Sequence, residues 1–382
     1  MKNYKRLGDY IREVNVRNRE LEVKKPMGIN IDKHFMPSVA NVIGTDLSTY
    51  KLVSKMQFAC NLMHVGRDEK IPMAMHTENN PIIVSPAYFV FEVTNTDQLL
   101  PEYLMMWFRR PEFDRNAWFY TDADVRGGMG KESLLDMQLP IPSITRQREI
   151  VAEYETLTHR IRLNEQMIQH LEDTAQALYR KMFVDGIDKE NLPEGWKMGK
   201  FTDIVNVCGG GTPSTDNYEY WENGSIPFYS PSDKTNFYYS LKTEKYITVK
   251  GLKHCSSKLY PQNTTFVTAR GATTGGLAIA GCSMAMNQTC YAFMGNGHFM
   301  PYYIHQLSIE TMSSLKNEAV GATFEALVTK DFENTEIVIA SDDYIYIYND
   351  MVTPYYKNIL IKQKENLKLT ELQSLLLAKM GL

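Results

Sequence analysis

The sequence has five cysteines, and none of them forms a C-x-x-C pair or has a histidine at ligand spacing. Cys60, Cys208, Cys255, Cys282 and Cys290 therefore read as free thiols, which argues against a zinc site or a disulfide framework and leaves no metal expected. Long apolar runs are missing as well. The start, Met1-Lys2-Asn3-Tyr4-Lys5-Arg6, leads into polar sequence without the apolar centre of a signal peptide, and no stretch approaches a transmembrane span, so a cytoplasmic protein without a membrane partner is expected. There is no excess of positive charge: the net charge is -4 and the pI about 6.1, so any surface for nucleic acid must be a local basic patch.

Catalytic signatures are also lacking. No G-x-x-x-x-G-K-[ST] loop and no strand-G-x-G-x-x-G-helix unit is present, and no Asn or Asp-Pro-Pro-aromatic loop of the kind base methylation needs. Asp9 with Glu22-Val23-Lys24 loosely fits the degenerate spacing of a metal-dependent nuclease, but so weak a pattern reads far better as a solvated surface. No cofactor is expected on this chain.

What the chain does have is periodicity. From Ile150, steps of four and three land on Tyr154, Leu157, Ile161, Asn164, Ile168, Leu171, Ala175, Leu178 and Met182, with charged and polar residues between them. That is a heptad seam, and Asn164 is its one polar member. A helix of about 35 residues would be about 50 Å long, which suits a spacer between two globules. A weaker seam of the same spacing closes the chain: Val352, Tyr355, Ile359, Lys362, Asn366, Leu369, Gln373, Leu376 and Met380. An antiparallel pair crossing near Gln166 would bring Asn164 opposite Asn366. At Thr353-Pro354 the second helix either restarts, with Thr353 as cap and Pro354 at the first position, or is kinked, and a restart is the favoured reading.

Matches outside the helices point to a tandem repeat. Leu7 to Val16 lies against Met198 to Val207, Leu100 to Leu104 against Met300 to Ile304, and Ile141-Pro142-Ser143 against Ile339-Ala340-Ser341. Each half reads as an α+β globule followed by a long helix. Strands are expected at Tyr88 to Val93, with Phe89, Phe91 and Val93 on one buried face, and at Thr264 to Thr268 and Leu277 to Ala280. The boundaries are residues 1–142 for the first globule, 143–190 for the first spacer helix and its linker, 191–341 for the second globule and 342–382 for the second helix.

Gly209 to Ser214 and Gly271 to Gly276 are glycine-rich. They read either as plain tight turns or as turns whose free amides meet backbone phosphates. Basic and hydrogen-bonding candidates for a nucleic-acid surface are Arg17, Arg19, Lys24, Lys25, Arg126 and Lys131 in the first half. In the second they are Thr212, Ser214, Lys234, Lys253, Lys258, Arg270, Thr273 and Thr274.

Leu192-Pro193-Glu194-Gly195-Trp196-Lys197, Gly210-Gly211-Thr212-Pro213-Ser214, Glu219-Tyr220-Trp221, Ile226-Pro227-Phe228, Pro231-Ser232-Asp233, Arg270-Gly271-Ala272-Thr273 and Asn287-Gln288 together resemble the specificity subunit of type I restriction-modification enzymes. In the first half the likeness rests on Gly127-Gly128, Leu139-Pro140-Ile141-Pro142 and Gln147-Arg148-Glu149-Ile150. Arg146 stands where the family usually has an acid, and the second copy has Asp342-Asp343-Tyr344-Ile345 in place of the Gln-x-x-Ile signature.

The resemblance implies two pseudo-twofold related target-recognition domains, each reading half of a split site in double-stranded DNA, separated by an antiparallel coiled coil of two helices. Those helices would also bind methylase subunits, and a translocating nuclease subunit would join the complex. S-adenosylmethionine, ATP and Mg2+ would then belong to the partners. Ile150, Leu157, Ile161, Asn164, Ile168, Leu171, Leu178, Ile359, Asn366, Leu369 and Leu376 are the candidate spacer and subunit-contact residues. The competing readings are a stand-alone nuclease built on Asp9, Glu22 and Lys24, and a coiled-coil scaffold with no DNA role.

Overall fold

The computed structural model describes residues 4–39, 44–63, 65–121, 127–234, 238–296, 300–318 and 326–381. The chain divides into two compact units, Met1–Ile161 with Leu369–Leu382 and Arg162–Lys368. Each of the two long helices, Ile144–Phe183 and Asp342–Met380, contributes residues to both.

The first unit holds two four-stranded sheets. One is antiparallel throughout, in the order Ile11–Glu13, Phe89–Val93, Phe58–Cys60, Met73–Met75. The other runs Phe35–Pro37, Pro26–Ile29, Ile82–Val84, Lys51–Val53, and its central pair is parallel. Tyr4–Arg6 pairs with Gln138–Pro140 and clasps the globule shut. Phe89, Phe91 and Val93 enter the main core as their alternation requires. The other face of that strand is buried too, because Val90 packs with Val53, Ala59 and Val84 in a separate cluster. The strand is thus covered on both sides where the sequence pattern suggests one.

The second unit repeats this plan. Val205–Gly209, Cys290–Gly295, Thr265–Thr268, Leu277–Ala280 and Tyr239–Ser240 form one sheet. Lys245–Ile247, Ile226–Tyr229 and Ala285–Met286 form the other, again with one parallel pair. Lys197–Lys200 against Glu336–Ile339 is the clasp. Helices Pro101–Phe108 and Pro301–Glu318 occupy matching places, each with proline in its first turn, where the missing N–H costs nothing. The duplication is therefore present, with one correction of register. The clasps match Arg6 with Lys200 and Tyr4 with Met198. The alignment on Gly8 and Gly199 is out by three residues.

The long helices run antiparallel, since their partners descend along one as they ascend along the other. In the first unit Gln373 Nε2 donates to Thr158 Oγ1 at 2.7 Å. In the second, Asn164 Nδ2 donates to Asn366 Oδ1 at 2.7 Å, Tyr356 Oη to Glu172 Oε1 at 3.3 Å and Tyr348 Oη to the Ala175 carbonyl at 2.9 Å. Of the seam, Tyr154, Asn164, Ile168 and Ala175 are buried, while Ile150, Leu157, Ile161, Leu171, Leu178 and Met182 are half-buried. Beyond Ile168 the buried stripe moves over by one residue, to Glu172, Tyr179 and Phe183. Along the second helix Ile359 and Asn366 are buried and Leu369 and Leu376 half-buried, with Tyr356, Gln363 and Leu377 taking the places of Tyr355, Lys362 and Leu376. An α-helix advances about 3.6 residues per turn, so a 3.5-residue seam drifts by about 20° per heptad unless the pair supercoils fully.

The second helix does not restart at Thr353-Pro354; it is continuous, with Pro354 inside it. Pro354 faces solvent, while Val352 and Tyr356 on either side are fully buried and hold the helix in place. Thr353 Oγ1 donates to the Asn349 carbonyl at 2.6 Å and Asn358 Nδ2 to the Pro354 carbonyl at 3.0 Å. The helical bond that proline cannot make falls to Asp350, an exposed residue whose carbonyl water can reach.

Candidate nucleic-acid interface

In the second unit the candidates gather at one end of the main sheet. Past Thr268 the chain stays in register: the Ala269 amide donates to the Thr289 carbonyl at 2.8 Å, and the Leu327 amide to the Ala269 carbonyl at 2.8 Å. That register sets the exposed Arg270 opposite Gln288. Thr212 Oγ1 donates to Gln288 Oε1. Beyond Arg270 the chain turns back through Gly271 at φ +101° and Gly275 at φ +74°, conformations that favour glycine. Lys234 lies against this turn, its amine placed where a Cβ on Gly276 would come within 2.6 Å. Thr212, Gln288, Arg270, Thr273 and Lys234 thus form one exposed polar surface.

In the glycine-rich segments several amides are already engaged within the fold. The amides of Thr274, Gly275 and Gly276 are bonded to the carbonyls of Gly271, Thr268 and Thr273, and Thr274 Oγ1 also bonds Gly271 at 2.6 Å. Gly210 and Gly211 allow close packing: a Cβ would fall 1.9 Å from the Asn287 carbonyl oxygen and 2.1 Å from Ser256 Oγ respectively. Ser214 is exposed, and its carbonyl accepts the Trp221 indole N–H at 2.9 Å. Lys253 ends the short helix Val249–Lys253, and Lys258 is exposed.

The first unit brings together a different set. Arg17 bridges to Lys51 across the strands and donates through Nη1 to the Thr49 carbonyl at 2.5 Å. With Arg19, Ser48 and Thr49 it lines a shallow cleft. Lys131 pairs with Glu13 and sits 4.9 Å from the centre of the Phe89 ring. Lys51 donates to the Tyr88 carbonyl at 2.7 Å. Burial lowers its pKa; Glu13 opposes this, and Arg17 and Lys131 add to it. Lys51 thus lies near two other cations, Arg17 and Lys131, and one carboxylate, Glu13. Lys24 and Lys25 are exposed just before Pro26–Ile29. Arg126 lies outside the described residues.

Lys51 was not a sequence candidate, because nothing distinguishes it from other lysines until Arg17 and Glu13 are folded beside it. The residues of the nuclease reading do not form a site. Asp9 is engaged by Arg6 at 3.4 Å, and among the described residues no group of three or more His, Cys, Asp or Glu could hold a metal ion. On the helix pair, Leu157 and Leu376 line a shallow apolar groove with the exposed Leu372 and Leu375, flanked by Glu153 and Lys379. No helix among the described residues is long and apolar enough to cross a membrane.

Gln147, the leading residue of the first-half signature, is fully buried. Its Oε1 accepts the Leu100 amide at 2.9 Å, and its Nε2 donates to the carbonyls of Gln98 and Pro142 at 2.8 and 2.9 Å. It pins the entry of helix Pro101–Phe108. In the second repeat Asn349 takes that task from one turn further along, accepting the Tyr302 amide at 3.2 Å.

Residues 193–371 match the family model of the type I restriction modification DNA specificity domain. The chain is similar to the HindI specificity subunit of Haemophilus influenzae, with 24% identity over 78% of this chain and 80% of that one. It is also similar to the MjaIX specificity subunit of Methanocaldococcus jannaschii, with 34% identity over 41% of this chain and only 37% of that relative's length. Among solved structures, the S subunit of a type I restriction-modification system from M. genitalium shares the fold, with a TM-score of 0.62 at 11% identity, covering 100% of this chain and 96% of that one.

Proposed function

We infer that this chain, a member of the family of type I restriction-modification specificity subunits, reads a two-part target in duplex DNA and directs adenine methylation and restriction by partner subunits. The observation that carries the two-part reading is the duplication itself. Each unit has a pair of sheets, a two-stranded clasp and a helix that opens on a proline, and each carries exposed hydrogen-bonding or cationic side chains. A pair of related readers suits a split site, since major-groove contacts one helical turn apart lie about 34 Å from one another. The antiparallel helices would set that gap, and the groove at Leu157, Leu372, Leu375 and Leu376 would receive a methylase subunit. The chemistry belongs to those partners: a methylase with S-adenosylmethionine, and a translocating nuclease with ATP and Mg2+. The purified chain should neither cut nor methylate DNA, and methylation should appear when methylase and S-adenosylmethionine are added. Methyl transfer or Mg2+-dependent cutting by the chain alone would overturn this assignment.

A further inference from the structure

The two units can be matched residue by residue at the edge where Arg270 lies. The Met129 amide donates to the Leu62 carbonyl at 2.9 Å, as the Leu327 amide does to Ala269 at 2.8 Å. Cys60 faces Phe89 across its ladder as Val267 faces Tyr291. The Tyr88 amide closes a turn on the Ser85 carbonyl at 3.0 Å, and the Cys290 amide on Asn287 at 3.3 Å. In both turns the first side chain accepts the amide two residues on, Ser85 Oγ from Ala87 at 3.5 Å and Asn287 Oδ1 from Thr289 at 3.0 Å. Lys131 over Phe89 has its counterpart in Thr329, whose Oγ1 reaches the Tyr291 hydroxyl at 3.5 Å. These matches agree on one register. In it Met63 stands where Arg270 stands, Pro86 where Gln288 stands, and Ala87 where Thr289 stands.

The bonding pattern matches as far as Leu62 and Ala269, and the side chains just beyond do not. The second edge offers a guanidinium, an amide and a hydroxyl; the first offers a thioether, a pyrrolidine ring and a methyl. Met63 is 40% exposed, and Pro86 and Ala87 are exposed as well. Within a major groove the apolar feature available to such an edge is the C5 methyl of thymine, whereas an arginine pairs best with guanine O6 and N7. Methionine, unbranched and polarizable, adapts to such a methyl.

We propose that Met63, with Pro86 and Ala87, is the base-reading edge of the first unit and selects a thymine methyl, at the position where Arg270 in the second unit selects guanine. This rests on the DNA-reading function inferred above, and the wild-type arm of the test checks that function separately. The complete chain is co-produced with its methylase in a host lacking both, and the methylated motif is mapped. Duplexes carrying that motif are then tested for binding to the complex, with each thymine in turn replaced by deoxyuridine, which lacks only the methyl.

Wild type should bind about fourfold more weakly when one thymine of one half-site is replaced, the effect of about one buried methylene. Met63→Ala should bind the two duplexes equally. Met63→Arg should change that one position toward guanine, and Arg270→Met should change one position of the other half-site only. Should wild type confer no motif, the assignment as a specificity subunit fails. A clear motif with no thymine in either half-site sensitive to the methyl, or a methyl effect that survives Met63→Ala, overturns the edge proposal and leaves the assignment standing. The deoxyuridine series on wild type decides the matter even if Met63→Arg does not fold.

Discussion

Asn164 and Asn366 meet side chain to side chain inside the helix pair, Nδ2 of the first donating to Oδ1 of the second at 2.7 Å, with both residues buried. An amide pair in an apolar seam favours one register over its neighbours, because any slip buries each amide against hydrocarbon. Asn164→Leu should destabilise the chain by about 1 to 3 kcal/mol, since it leaves Asn366 facing an apolar side chain. Adding Asn366→Leu should recover most of that loss. A double variant as unstable as the sum of the two singles, measured by denaturant titration, would show that the amides are not coupled.

Gln147 has three backbone partners and no exposure, so its role is to hold the chain at residues 98–100 and 142. Gln147→Leu keeps the bulk and removes the bonds, and should cost about 1 to 3 kcal/mol. Hydrogen exchange should show the loss concentrated at the start of helix Pro101–Phe108. Unchanged protection of the Leu100 amide would contradict this.

The second unit buries Glu172 and His305 with 3.9 Å between carboxylate Oε1 and imidazole Nε2. Burial pushes the Glu172 carboxyl up to about 7, against hydrogen bonds from Tyr356 and Gln306 that pull it down. Burial lowers the His305 imidazole to about 4. Glu172 binds its proton more tightly in the folded state, so its contribution is present below its unfolded pKa near 4.5 and is lost as pH rises to about 7. His305 does the opposite: it favours the fold above about 6.5, and that contribution is lost as pH falls toward 4. The two slopes oppose each other between about 4.5 and 6.5. Glu172→Gln should therefore stabilise the chain at pH 8, by up to about 3 kcal/mol, more than at pH 4.5. It should also leave a profile that rises with pH between 4 and 6.5. An equal effect at both pH values in thermal melts would contradict the buried, proton-binding carboxyl.

The helix pair and the duplication were legible because Leu, Ile and Asn recur at helical spacing and because short matches keep their order. The register of the repeat was less so: Gly8 and Gly199 are identical yet do different work. Gly8 lies in a 3-10 turn against Arg6 and Leu135, whereas Gly199 lies in a strand under Ile339. The continuity through Pro354 depends on the burial of Val352 and Tyr356 against the rest of their unit, which no local rule supplies. At the candidate surface, Arg270 and Thr212 were visible as family-like motifs. The cations around Glu13 were not grouped, because Lys131 and Glu13 are brought together only by the fold.

If the helices set the gap between half-sites, adding one heptad to each should lengthen the gap without altering what is read. Seven residues add about 10 Å of helix, or up to about three base pairs at 3.4 Å each. The methylated motif should keep both half-sites and gain unspecified pairs between them. Methylation with an unchanged gap, or with new half-sites, would show that the helices are not the ruler.

Reading a split DNA target for a partner methylase is the central claim, and comparing the methylome of the host with and without this gene tests it most directly. The account predicts that one adenine-methylated motif, two short specified parts flanking an unspecified gap, disappears when the gene is deleted and returns with the gene alone. A methylome unchanged by the deletion, in a host whose partner methylase is present and active, would contradict it.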